Sequence, residues 1–146
     1  MSLRQLELNG RIKRISLQPS YLKDQIGIAS HNLASARRNL DEDPDLAYVC
    51  SYTAMLAAGR ALMGALGYVP DGSEQHYSVE LFLEHYVDRS TVTKFGVMRR
   101  KRHTLQYDQI GIISPTDAAN AIASAEAFIP LIQSRIAQVA AGSGER

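Results

Sequence analysis

Leu22, Ile26, Ala29, Leu33, Ala36 and Leu40 recur at alternating intervals of four and three residues. That spacing puts one apolar stripe on a helix of about six turns. Pro19 suits its first position, where a missing N–H does no harm. Asp41-Glu42-Asp43-Pro44 ends this helix and opens the next, with Asp43 as the N-cap and Pro44 in the first turn. The acidic residues complement the positive end of the new helix. The segment Pro44 to Leu66 is rich in small residues (Ala54, Ala57, Ala58, Gly59, Ala61, Gly64, Ala65), which let other helices approach closely; it is placed at the centre of a bundle, with Gly67 as its stop.

Val69-Pro70-Asp71-Gly72-Ser73 reads as a loop, with Ser73 capping a helix whose buried face is Val79, Phe82, Leu83 and Tyr86. A break at Asp88–Thr91 precedes a basic helix that ends near Gln109–Gly111. Ser114-Pro115-Thr116-Asp117 starts a last helix carrying Ala121, Ile122, Ala125, Phe128, Ile129, Ile132, Ile136 and Val139. Pro130 inside it predicts a kink. At the other end, Leu6, Ile12 and Ile15 suggest a short helix over about residues 3–16, weakened by Asn9-Gly10. Its Arg4, Arg11, Lys13 and Arg14 form a solvated face or an RNA-contacting arm. No stretch alternates with period two for long enough to demand a strand. The expected fold is all-α, an up-and-down bundle of four long helices plus a short N-terminal helix. It forms a single domain over 1–146, with a core bundle over 19–140 and a fraying tail at 141–146.

Composition narrows the class. With 146 residues, 45% of them hydrophobic and 21% charged, the chain has the makings of one real core and is not disordered. A net charge of +1 argues against coating nucleic acid by bulk electrostatics, so any anion binding must be local. Cys50, the one cysteine, reads as a small core residue and fits a reducing compartment. Without a signal-like N-terminus or a run of 18 apolar residues, a cytoplasmic protein with no membrane partner is expected.

The densest charge is Arg99-Arg100-Lys101-Arg102-His103-Thr104-Leu105-Gln106-Tyr107-Asp108. On a helix, Arg99, Arg102, His103, Gln106 and Tyr107 share one stripe. Phe95, Met98, Arg102 and Leu105 follow a 3-4-3 spacing, so Arg102 interrupts an apolar seam. An arginine there must find an anionic partner or a ligand, since burying it unpaired is costly. Arg60 is a second charge in an apolar setting, expected to snorkel to the surface. His76, Glu80 and Glu84 stand at four-residue spacing. Three such groups on one helix, with no matching set elsewhere, make a weak metal site, so no metal and no cofactor is assigned. Glu80 or Glu84 is expected to pair with a basic residue of the next helix. If the basic run were only a solvated face, Arg102 would instead pair with Asp108, Glu80 or Glu84.

Tyr52-Thr-Ala-Met-Leu-Ala-Ala-Gly-Arg-Ala-Leu-Met, Gly67-Tyr-Val-Pro, Arg99 to Asp108 and Ser114 to Ile129, in that order, resemble the HEPN superfamily over about residues 20–135. The resemblance implies a helical bundle that often dimerises, is often encoded beside a nucleotidyltransferase, and places the Arg-polar motifs of two subunits at one cleft. Many relatives are metal-independent ribonucleases with an R-x4–6-H motif. Arg102 and His103 match its start, whereas Tyr107 stands where the histidine is expected. An ordinary phenol titrates near 10 and is a poor base at neutral pH. The expectation is therefore a non-catalytic nucleotide- or RNA-binding bundle, a homodimer, with Arg99, Arg102, His103, Tyr107 and Asp108 binding the ligand. One alternative is a toxin-like endoribonuclease whose catalytic residues are Arg102, His103 and Tyr107, with His103 replacing the missing base. Another is an antitoxin-like partner of a nucleotidyltransferase.

Overall fold

Helix α3 (Pro44–Ala65) is the spine of the computed structural model, which describes residues 1–107 and 109–143. Around it, in chain order, stand α1 (Leu3–Leu8), β1 (Ile12–Arg14), α2 (Pro19–Asn39), β2 (Tyr68–Pro70), α4 (Gln75–Leu83), α5 (Arg89–Tyr107) and α6 (Pro115–Ser143). The fold is all-α apart from one two-stranded ribbon. Helix α3 packs against α2, α4, α5, α6 and β2. By length and composition it alone among the described helices could cross a membrane, yet 78% of that stretch is buried inside the bundle. It is a core helix.

Small residues explain the close approach. A Cβ at Gly64 would lie 2.8 Å from the Tyr21 ring of α2, and one at Gly59 would lie 2.9 Å from Val79 Cγ1 of α4. Tyr52, Phe95 and Phe128, all buried, then join α3, α5 and α6, with centroids 5.3 Å apart for Tyr52–Phe95 and 6.2 Å for Phe95–Phe128. In α2 the stripe is deepest at Ala29, Leu33 and Ala36, while Leu22, Ile26 and Leu40 are half-buried.

The caps follow the chain's polar punctuation. Asp43 accepts the Leu46 N–H at 3.1 Å, with Pro44 in the first turn behind it. Ser114 and Asp117 exchange bonds at 3.0 and 3.3 Å ahead of α6. Asp45 reaches across to accept the backbone N–H groups of Gly111 and Ile113, tying down the segment that leaves the basic helix. Helix α6 continues through Pro130, and its residues 141–143 are still helical; residues 144–146 of the expected tail lie outside the described residues.

Three expectations are corrected. The N-terminal helix stops at Leu8 rather than reaching residue 16, because Asn9 caps it and Gly10 takes φ +72°. The chain then runs extended, and Ile12, Lys13 and Arg14 pair antiparallel with Pro70, Val69 and Tyr68. The segment read as a loop thus begins as a strand, too short for a period-two signal. Ser73 is not the cap of α4: Glu74 holds that place, in a left-handed conformation at φ +55° and without a side-chain cap bond, and Tyr86 lies beyond the end of the helix.

If α3 is a close-contact spine, its glycines are intolerant where those elsewhere are not. Gly64→Val should destabilise the protein by about 1–3 kcal/mol through overpacking against Tyr21. Gly27→Ala, on α2 with nothing within 4 Å of its Cβ, should stabilise by about 0.4–1 kcal/mol. Urea unfolding of the two variants checks both signs.

Candidate functional site

Helices α4 and α5 run together past a crossing that Gly96 opens. A Cβ there would lie 2.8 Å from Glu80 Oε2, so the glycine leaves room for a carboxylate between the helices. Glu80 uses that room to accept Arg99 Nε at 2.9 Å, and both side chains are mostly buried (13% and 24% exposed). The Arg99 guanidinium also lies over the Tyr77 ring, 5.0 Å from its centroid, and Arg11 lies over the same ring at 5.1 Å. Glu80 is therefore the acidic partner that the charge pattern demanded, and Arg99 is the residue it holds.

Arg102, one turn further, is in a different position. Phe95, Met98 and Leu105 are buried as the seam predicts, and Arg102 sits half-buried among them. Its Nε is buried and has no hydrogen-bond partner among the described residues. Neither Glu80 nor Glu84 pairs with it. Leaving a buried charged donor unsatisfied costs on the order of 1–3 kcal/mol or more.

Arg99, Arg102 and His103 line one cleft of about 550 Å³, together with Glu74, His76 and Tyr77 from the start of α4. Of the residues expected at the site, these three are brought together. Gln106 is exposed and does not line the cleft. The side chain of Tyr107 and the whole of Asp108 lie outside the described residues. A second cleft of the same size shares Arg100 but includes Glu80 and Glu84 beside Arg89 in its lining, so its charge is mixed. The first is the better anion site.

Sequence reasoning missed His76 as part of this cleft. It stood in an apparent metal stripe, but its neighbours separate it from Glu80: Glu80 serves Arg99, while His76 Nδ1 meets the Tyr52 hydroxyl of α3 at 3.2 Å. Among the described residues no cluster of three metal-ligating side chains forms. The His76 pKa is brought down to about 4, first by burial and then by repulsion from Arg102, Arg60 and Arg99. Burial pushes the Tyr52 hydroxyl well above the usual phenol range against the pull of the same three arginines, so it stays protonated. Arg60, half-buried, belongs electrostatically to this cluster. His103 is exposed on the rim.

The backbone has a solved counterpart. The crystal structure of an archaeal HEPN homologue matches 79% of this chain and 97% of its own length, with a TM-score of 0.64 at 16% identity. This chain has a HEPN-like fold. No protein-family model matches it, and no curated protein sequence does. The arginines of α5 share their cleft with an imidazole supplied by α4, a placement that spacing along α5 cannot reveal.

A histidine held neutral by the fold makes stability depend on pH. In the unfolded chain an imidazole titrates near 6.5, so as pH falls the unfolded state takes up a proton before folded His76 does. The His76 contribution is intact above pH 6.5 and is lost as pH drops toward 4. His76→Gln should flatten that part of the profile, measured by urea unfolding at pH 7 and pH 4.5. An unchanged slope in the variant would assign the effect to other groups.

Proposed function

We propose that this protein is a non-catalytic HEPN-like module that binds a nucleotide or RNA phosphate in the α4–α5 cleft. The observation that carries this reading is that Arg102 lines the cleft while its buried Nε has no hydrogen-bond partner among the described residues. A phosphate in the cleft would give the Arg102 guanidinium a charge-assisted partner, a pairing that its planar geometry suits. Arg99, fixed by Glu80 and Tyr77, supplies a second cation without conformational search. The cleft's volume of about 550 Å³ falls within the range of small-molecule sites. Glu74 on the same rim, 67% exposed, opposes bulk attraction and favours a placed phosphate over a polyanion held loosely.

The test is RNA and mononucleotide binding in EDTA, with wild type beside Arg102→Ala, followed by inspection of the RNA for cleavage. Arg102→Ala should weaken binding about 10–100-fold with the fold retained, as expected for a lost hydrogen bond to a charged group. The wild type should show salt-sensitive RNA binding and no cleavage. Cleavage abolished by His103→Ala would instead establish the endoribonuclease reading, and no binding of either ligand would sink the module.

We also propose that the working form is a homodimer. Val97 of α5 is 49% exposed beside a groove of about 320 Å³ whose lining includes Tyr48, Met98 and Ala121. A second copy covering it would bury that apolar strip. Analytical ultracentrifugation of wild type and Val97→Glu should give dimer and monomer respectively; a monomeric wild type would refute it.

A further inference from the structure

We propose that His76 is a ligand-contacting residue of the cleft and takes up a proton when a doubly charged oxyanion settles against Arg102. This rests on the α4–α5 cleft being an anion site, and it adds a residue and a ligand class to that reading. The class is a dianion such as a terminal phosphomonoester, as opposed to the singly charged diester of a nucleic-acid backbone.

The geometry has three parts. His76 lines the same cleft as Arg102. Its Nδ1 is engaged by Tyr52 at 3.2 Å, while Nε2 has no hydrogen-bond partner among the described residues. The Tyr52 hydroxyl, buried and protonated, serves both states of the imidazole. It donates to Nδ1 when that nitrogen is bare, and its oxygen accepts when Nδ1 carries a proton. Protonation of His76 thus demands rotation of one hydroxyl and no rearrangement of the core.

Charge supplies the coupling. The groups that act on His76 are Arg60 and Tyr52 from α3 and Arg99 and Arg102 from α5. Arg100 and His103 of α5, with Glu74 on the α4 side, share its cleft, and Glu80 is committed to Arg99. In the ligand-free protein burial, and then repulsion from the arginines, hold the imidazole neutral. A dianion beside Arg102 reverses the local sign, and an opposite charge within about 4–6 Å typically moves a pKa by one to three units. A monoanion offsets less of that positive charge and draws the proton less strongly. By linkage, whatever the anion does to the proton's affinity the proton does to the anion's.

The experiment is a histidine NMR titration with sulfate, which keeps two charges throughout the range used. The chain has four histidines, so His76→Gln and His103→Gln assign the relevant signals. Without sulfate, one imidazole should titrate well below the ordinary histidine range. Saturating sulfate should move that signal, the one lost in His76→Gln, upward by about two pH units. Correspondingly, sulfate affinity measured by calorimetry should rise about tenfold from pH 7 to pH 5 in wild type and in His103→Gln, and stay flat in His76→Gln. Sulfate binding that is lost in Arg102→Ala but leaves the His76 titration unmoved overturns this inference and spares the cleft. No sulfate binding at either pH overturns both.

Discussion

The bundle depends on how close its helices can come to α3. Two glycines and a run of alanines strip that helix of side-chain bulk, so Tyr21 and Leu22 of α2 and Val79 and Leu83 of α4 rest almost on its backbone. Packing at that distance is all-or-none, because interiors are dense and resist even one added methyl group. The consequence for function is geometric. With α4 seated on α3 through Gly59, the first turn of α4 is fixed relative to Tyr52, and Tyr52 in turn reaches His76. The site is rigid because its scaffold has no slack.

Helix α5 is joined to that scaffold differently. Its apolar seam of Phe95, Met98 and Leu105 is broken by Arg102, and its neighbour Arg99 is tethered by a carboxylate for which Gly96 makes room. A glycine in a helix interior costs about 1 kcal/mol relative to alanine, and a mostly buried ion pair returns little net stability against an apolar replacement. Neither feature is what a helix selected only for packing would carry. They make sense together as a device that holds one arginine fixed while the next one's Nε has no partner among the described residues.

The long elements were legible because their signals are strong and local. A six-turn stripe, the Asp43-Pro44 start and the Ser114–Asp117 box act within a few residues, and the structure keeps each of them. The apolar seam in α5 and its charged interruption were legible for the same reason. What escaped is non-local. The ribbon between Ile12–Arg14 and Tyr68–Pro70 joins segments more than fifty residues apart, each too short to show a period. Glu74 displaced Ser73 as the cap by adopting a left-handed conformation that sequence does not favour for glutamate. His76 looked like a ligand on a stripe with Glu80, when each faces a different partner from a different helix.

That last miss bears on what a tyrosine at the motif position means. A phenol at position 107 stands where the resemblance to the R-x4–6-H pattern leads one to expect an imidazole, and taken along one helix this reads as a lost site. In three dimensions the cleft still holds an imidazole, contributed by α4 and oriented by a buried hydroxyl of α3. Its chemistry differs from that of an exposed histidine. Burial, and then repulsion from Arg102, Arg60 and Arg99, keep it neutral in the empty cleft; with the proposed proton uptake its charge reports on occupancy. A permanent fourth cation would raise the self-repulsion of the empty cleft, and an apolar residue would give nothing to the bound state. Histidine is the side chain whose charge can change within the range where proteins work, which is why its type at position 76, on this helix, fits a cleft lined by Arg99 and Arg102.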